Sequence, residues 1–332
     1  IAMKHVLTSL ASTAYRLGLG LNQAGRRARR RRFEVPIVSV GGVTAGGSGK
    51  TPLVRHLLEE AEELGFQPVV LTRGYGRRTR EDRVWRPGSS PGLADPAIFG
   101  DEPAMLSRQV PGSILLVGKH RSRVLRAFLD SGTSEGMKPL LVILDDGFQH
   151  RQISRDLDIV ILPDVAVEDP TLLPFGLLRE PLEALRRANV ICTTGPNGLE
   201  YARRLTTNQP TTNTGGPPIR PLVERTEFRS DPEGKVLLVS GIACPERFRN
   251  SLDAFGLEIG EHMIFNDHHD FSDADVAVIL RAMKSHSATS IVTTEKDYVK
   301  LDRYESLSPY LHPLLYELRP TCKILEKWAI GY

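Results

Sequence analysis

The stretch "VTAGGSGKTP", Val43 to Pro52, constrains this chain more than any other. Before it, "FEVPIVSVGG" (Phe33 to Gly42) is rich in β-branched apolar residues and reads as a buried strand. After it, "LVRHLLEEAEEL" carries apolar residues at helical spacing. Strand, glycine-rich loop and helix, in that order, form the setting of a phosphate-binding loop, where backbone N–H groups and a helix N-terminus surround an anion. The full pattern has a glycine five positions before its last one, and here Thr44 stands there. Gly46, Gly47 and Gly49 keep the loop flexible, with Gly41 and Gly42 just upstream. Thr44, Ala45, Gly46, Gly47, Ser48, Gly49, Lys50 and Thr51 are thus the candidate nucleotide site. Lys50 would reach the β- and γ-phosphates of ATP, and the Thr51 hydroxyl would sit on Mg²⁺. The alternative is a structural glycine turn that happens to end in Gly-Lys-Thr.

Further strands follow. "QPVVLTRGYG" ends in Arg73, Gly74 and Tyr75, "SILLVG" leads into "KHRSR", and "PLLVILDDGFQH" stops abruptly at Asp145 and Asp146. Short apolar runs alternating with helical stretches predict an α/β fold with a mainly parallel sheet and helices on both faces. Ligands on such sheets gather at the carboxyl ends of the strands, where each of these runs turns polar. Asp145 or Asp146, closing a buried strand, has the position of a carboxylate that holds Mg²⁺ directly or through water. A signalling GTPase is disfavoured, because no Asn-Lys-x-Asp guanine reader and no Asp-x-x-Gly follow; "TTEKD" has the wrong spacing.

Charge matters by its distribution. The formal net charge is only +3, yet "RRARRRRF" puts six arginines between Arg26 and Arg32. Leu7, Leu10, Ala14, Leu17 and Leu21 precede them on one helical face, interrupted by Thr and Ser. A spanning helix needs roughly 20 mostly apolar residues, and this stretch is shorter and more polar. An apolar stripe ending in dense positive charge suits a helix lying in a membrane interface with arginines on anionic head groups. A core-packed helix with a solvated basic turn is the alternative. A nucleic-acid arm is disfavoured because no aromatic residues interleave with the arginines. Cys192, Cys244 and Cys322 are widely spaced and odd in number, which fits a reducing cytoplasm and neither zinc nor a disulfide framework.

Several further motifs remain: "TRGYG", "GDEP" (Gly100 to Pro103), "GKHR" (Gly118 to Arg121), "LDDGFQHR", "LLPFGLLREP" (Leu172 to Pro181), "SGIACPERF" (Ser240 to Phe248), "DHHDF" (Asp267 to Phe271) and "TEKDYVKL" (Thr294 to Leu301). With "VTAGGSGKTP" they make the chain resemble the tetraacyldisaccharide 4′-kinase (lipid A 4′-kinase) family of P-loop enzymes over most of its length. Gly42 stands where the family usually has asparagine, and Phe175 and Leu177 depart from its usual LLPAGPLREP-like block. The resemblance implies ATP-dependent phosphorylation of the 4′-hydroxyl of an acylated glucosamine disaccharide 1-phosphate at the cytoplasmic face of the bacterial inner membrane, by a peripheral protein. By the same resemblance Asp101 is the base and His268 its dyad partner, while Arg73, Tyr75, Arg121, Gln149 and Arg179 are similar to acceptor-binding positions. Mg²⁺ would have Thr51 and one of Asp145, Asp146 or Glu180 nearby. Taken alone, Asp101 suits a helix N-cap, His268 and His269 an exposed loop pair, and Arg179 an ion pair with Glu180 or Glu183.

The Thr, Asn, Gly and Pro of "TTNQPTTNTGGPPIRP" (Thr206 to Pro221) predict a linker or long surface loop. The expected organisation is an N-terminal amphipathic helix and basic cluster over 1–32, a P-loop kinase domain over 33–222, and a smaller α/β domain over 223–305. A C-terminal segment, 306–332, is expected to pack back on the kinase domain. A monomer is expected, with no nucleic-acid partner. Two rival functions stay open: a P-loop kinase or ligase acting on a soluble substrate, and a non-metabolic NTPase that uses its arginines on an anionic partner.

Overall fold

The computed structural model describes residues 30–89, 94–132, 138–207 and 217–329. The expected N-terminal amphipathic helix lies outside the described residues. The end of the arginine cluster is tied down: Arg31 N–H donates to Gln152 O at 2.8 Å, and Arg31 O accepts from Ser154 N–H at 2.8 Å.

Twelve strands are described: β1 (Ile37–Gly42), β2 (Gln67–Thr72), β3 (Arg83–Trp85), β4 (Ile114–Val117), β5 (Leu140–Asp145), β6 (Leu157–Leu162), β7 (Val190–Thr193), β8 (Ile219–Phe228), β9 (Val236–Ser240), β10 (Ile259–Ile264), β11 (Ser290–Thr294) and β12 (Leu311–Pro320). They form one sheet in the order β10-β9-β11-β12-β8-β7-β6-β1-β5-β2-β4-β3. Pairing is parallel except for β3 on β4 and β8 on β12. The helices are α1 (Lys50–Glu63), α2 (Pro96–Phe99), α3 (Asp101–Gln109), α4 (Arg121–Asp130), α5 (Asp164–Glu168), α6 (Pro196–Thr207), α7 (Pro245–Asn250), α8 (Asp273–Ser285), α9 (Glu295–Leu301) and α10 (Leu325–Ala329).

β1 is buried along its whole length because it lies between two parallel neighbours under helices on both faces. Its residues alternate between the two cores. Val38 and Val40 join Leu53 and Leu57 of α1, whereas Ile37 packs with Val124, Leu125 and Phe128 of α4. Each such fully buried aliphatic side chain is worth about 1.5–3 kcal/mol relative to exposure. In the other half of the sheet, α8 lays Val276, Ile279 and Met283 on Leu237, Val239 and Ile291.

The expected linker at Thr206–Pro221 is narrower than its composition indicates. Thr206 and Thr207 finish α6, and Ile219 to Pro221 already pair in β8 with β7. β8 then continues as the long antiparallel partner of β12, from Leu222↔Pro320 to Phe228↔Leu314, and this joins the two halves of the sheet. The chain end returns to the P-loop half. Glu60, buried in α1, accepts the N–H groups of Ile324 and Glu326 at 3.3 and 3.0 Å, and Leu325 is buried beside it. A carboxylate at the start of α10 meets the free N–H groups of that helix end.

Candidate active site

β1 delivers the chain to the loop, and α1 begins at Lys50. No side chain caps that helix start, and its first turn holds no acid, so its N–H groups and dipole remain for an anion. Added Cβ atoms at Gly46 and Gly47 would meet nothing within 4 Å, which leaves an open cradle of the kind a phosphate fills. Gly49 is different. It sits at φ 79°, and a Cβ there would lie 2.1 Å from Leu318 Cδ1 of β12. Lys50 Nζ folds over its own loop, donating to Ser48 Oγ at 2.9 Å and to Gly46 O at 3.4 Å. The hairpin that precedes Arg179 backs the loop: Ala45 N–H donates to Leu177 O at 2.8 Å, and Arg179 N–H to Val43 O at 2.7 Å.

Asp145 ends β5 opposite Val40, so parallel register puts the two acids beside the loop. Lys50 Nζ lies 3.8 Å from Asp146 Oδ1. Arg179 Nη1 reaches both Asp146 oxygens, at 2.9 and 2.7 Å. Asp146 takes φ 46°, a left-handed conformation held by these contacts. Burial would raise its pKa, but the Lys50 and Arg179 charges and the Arg179 hydrogen bond outweigh it and hold the carboxyl below its usual range. Asp145 goes the other way. Burial, reinforced by the charges of Glu102 and Asp146, pushes it up to about 7 against the Thr72 hydrogen bond and Lys50. Thr72 Oγ1 donates to Asp145 Oδ2 at 2.9 Å.

Hard oxygen donors next to a phosphate cradle suit Mg²⁺, which is commonly held by one or two carboxylates together with substrate phosphates and water. Among the described residues no group of three or more His, Cys, Asp or Glu could hold a metal ion. Asp145, Asp146 and Thr51 fit that role. Glu180 is buried with its Oε1 taken by Arg187 at 2.6 Å. The same Arg187 lies over the Phe148 ring, 3.5 Å from its centroid.

Asp101 and His268 meet across the two halves. Gly100, at φ 98°, precedes α3, and a Cβ there would lie 2.8 Å from Tyr75 O, so only glycine lets the TRGYG and GDEP segments approach this closely. Asp101 is the first residue of α3, whose N-cap is Gly100. Its Oδ2 lies 2.9 Å from His268 Nδ1. His268 has φ 59° and is fixed by its N–H donating to Gly241 O at 3.1 Å, with the Tyr75 ring edge-on at 5.0 Å. His269, its neighbour, turns away to Asp275.

Of the other expected residues, Arg121 Nη1 donates to the carbonyls of Asp145 at 2.7 Å and Asp146 at 3.2 Å, and Gln149 Nε2 donates to Gly42 O at 3.0 Å. Both brace the backbone around the loop. Arg73 and Tyr75 are exposed at the end of β2. Two lysines of α9 that spacing alone did not assign also enter the site. Lys300 Nζ lies 3.2 Å from Asp101 Oδ2, and Lys296 Nζ lies 3.3 Å from His268 Nε2 and 3.6 Å from Glu102. Their four-residue spacing puts both on one helical face, the one signal in the sequence that they act together.

The family model described as Tetraacyldisaccharide-1-P 4'-kinase matches residues 4–327. The Tetraacyldisaccharide 4'-kinase of Syntrophus aciditrophicus (strain SB) is 36% identical over 327 residues, covering 91% of this chain and 86% of that protein. That of Chlorobaculum tepidum is 36% identical over 276 residues, covering 80% and 77%. A crystal structure of LpxK from Aquifex aeolicus in complex with ATP superposes with a TM-score of 0.73 at 26% identity, covering 100% of both chains. The chain therefore belongs to the tetraacyldisaccharide-1-P 4'-kinase family.

Proposed function

We propose that this chain transfers the γ-phosphoryl group of ATP to the 4′-hydroxyl of a tetraacylated glucosamine disaccharide 1-phosphate, with Asp101 as the base. The family makes it a phosphotransferase with an alcohol acceptor, acting in lipid A biosynthesis. The observation that supports the residue roles is the formation of two pairs, Lys50 with Asp146 beside the loop and Asp101 with His268 beside the segment that follows β2.

Phosphoryl transfer asks a protein chiefly for positioning and charge neutralisation. The loop amides and Lys50 hold the phosphates. Mg²⁺, held by Thr51 with Asp145 or Asp146, would offset phosphate charge as the transfer proceeds. Arg179 and Lys50 keep Asp146 ionised and in place. The acceptor oxygen bonds to the γ-phosphorus as the bond to the β–γ bridging oxygen breaks, and Asp101 takes the hydroxyl proton. His268 orients the carboxylate and helps pass the proton on. Arg73, Tyr75, Arg121, Gln149 and Arg179 bind the acceptor, its 1-phosphate matching an arginine fork.

His268 comes from 223–305 and Lys50 from 33–222, so closure of these two domains assembles the site and excludes water. The N-terminal apolar stripe and arginine cluster support attachment to the cytoplasmic face of the inner membrane as a peripheral monomer. No helix among the described residues is long and apolar enough to cross a membrane. Phosphorus NMR of the lipid product tests the regiochemistry: a second monophosphate ester on the 4′-carbon is expected, and a diphosphate at the 1-position would overturn the assignment.

A further inference from the structure

Lys300 is a buried lysine with a specific arrangement around it. It is 3% exposed, on the last turn of α9, and its Nζ lies between Asp101 Oδ2 at 3.2 Å and Asp297 Oδ1 at 3.4 Å. The Phe271 ring lies 5.7 Å away and closes off another side. A buried ammonium is expensive unless it is paired and hydrogen-bonded, and here two buried carboxylates supply that pairing. One of them, Asp297, is itself anchored. Its Oδ2 accepts from Gly241 N–H at 2.9 Å and from Thr294 Oγ1 at 2.7 Å. Gly241 O in turn accepts the His268 N–H. Lys300 and His268 are therefore fixed by one small frame in the second half of the molecule.

Both donors meet the same oxygen. His268 Nδ1 and Lys300 Nζ approach Oδ2 of Asp101. A carboxylate held at one oxygen by two partners cannot rotate, and its second oxygen is left for another hydrogen bond. We infer that Lys300 is a positioning residue for the phosphoryl transfer, pinning Asp101 by Oδ2 so that Oδ1 receives the acceptor's hydroxyl proton. This rests on the lipid-kinase reading above and adds to it a part that neither the loop nor the dyad supplies.

The other charged and titratable groups facing Asp101 fit this division. His268 comes from the loop after β10, with Lys296 of α9 at its Nε2 and Glu102 of α3 paired to Lys296. The charges of Lys300 and His268 and their hydrogen bonds outweigh burial and hold the Asp101 carboxyl below its ordinary range. Lys300→Met removes a positive charge and a donor from that balance, so Asp101 binds its proton more tightly. The acid limb of the pH profile must then move to higher pH.

The test is a double-mutant cycle on lipid phosphorylation by the full chain, with Lys300→Met, Asp101→Asn, the pair together, and Lys300→Arg. Lys300→Met is expected to lower kcat by about tenfold to a hundredfold, the size of a lost charge-assisted hydrogen bond, leaving the KM for ATP unchanged. Its acid limb in kcat/KM shifts upward, and Lys300→Arg restores part of both. In the Asp101→Asn background, Lys300→Met lowers kcat no further, since the lysine acts through that carboxylate. Additive losses, or a Lys300→Met profile identical in shape to wild type, would overturn the inference. If Lys300→Met leaves Asp297 unpaired and does not fold, Lys300→Arg, which keeps the charge, is read in its place: it should lower kcat in the wild-type background and no further beside Asp101→Asn, and additive losses there would overturn the inference. Wild-type protein that labels no lipid would instead overturn the lipid-kinase reading itself.

Discussion

His268 Nδ1 lies 2.9 Å from Asp101 Oδ2, although 167 residues separate them. Asp101 starts a helix that packs beside the P-loop half of the sheet, and His268 follows the outermost strand of the other half. The carboxylate and its partner therefore exist as a pair only while the two halves stay together. Arg108 with Asp302 at 2.7 Å and Arg55 with Glu317 at 3.1 Å bridge the same junction.

Asp101→Ala is expected to lower kcat by about 10²- to 10⁴-fold, the usual contribution of a general base. The KM for ATP should change little, because the side chains hydrogen-bonded to Asp101 are His268 and Lys300, not Lys50 of the loop. Steady-state kinetics at varied ATP checks this. A large rise in that KM would move Asp101 to nucleotide binding.

Gly49→Ala should abolish nucleotide binding measured by calorimetry. The left-handed backbone costs an alanine about 1–2 kcal/mol, and its Cβ would press on Leu318. In a Leu318→Ala background, where the contact is gone, Gly49→Ala should still lower the thermal melt relative to Leu318→Ala alone, by the backbone cost. No further drop there would mean that the conformation at Gly49 is unimportant.

Glu60→Ala removes the carboxylate that accepts the Ile324 and Glu326 amides. Stranding buried donors costs about 1–3 kcal/mol. The variant should melt earlier and lose its C-terminal segment to limited proteolysis before the rest of the chain. Equal resistance of both proteins would show that α10 is held by its apolar contacts alone.

Asp145 supplies a pH dependence whose sign is fixed by its raised pKa of about 7. A carboxyl raised above its unfolded value favours the folded state at low pH, and that contribution declines from the unfolded pKa up to the folded one. Asp145→Asn removes the decline. In magnesium- and nucleotide-free buffer, its stability relative to wild type should rise between about pH 4 and pH 7 and then level off. Denaturant melts across that range measure the difference, and a constant offset would contradict it. The neighbouring Asp146, held below its usual range, has the opposite sign.

What the sequence disclosed follows the range of each interaction. β1, its loop and α1 are set by local patterning, so strand, turn and helix were legible within thirty residues. The parallel run through β2, β4 and β5 was legible for the same reason. The long β8–β12 pairing was not, because antiparallel register between segments about 90 residues apart leaves no mark in either. Composition placed a linker where Thr206 finishes a helix and Pro221 pairs in a strand. Arg179 shows the limit at the site: nothing in the sequence around it marks that its Nη1 reaches Asp146, 33 residues earlier. Asp101 and His268 came together through the family resemblance, not through spacing. Lys300 was within a quoted motif, but only the fold reveals that it reaches Asp101.

The most direct measurement is transfer of γ-³²P from ATP to a tetraacyl disaccharide 1-phosphate in mixed micelles, with Lys50→Ala as the control. The account predicts a labelled bisphosphorylated lipid with the wild-type chain and none with the variant. ATP hydrolysis that leaves the lipid unlabelled would contradict it and point to a soluble acceptor.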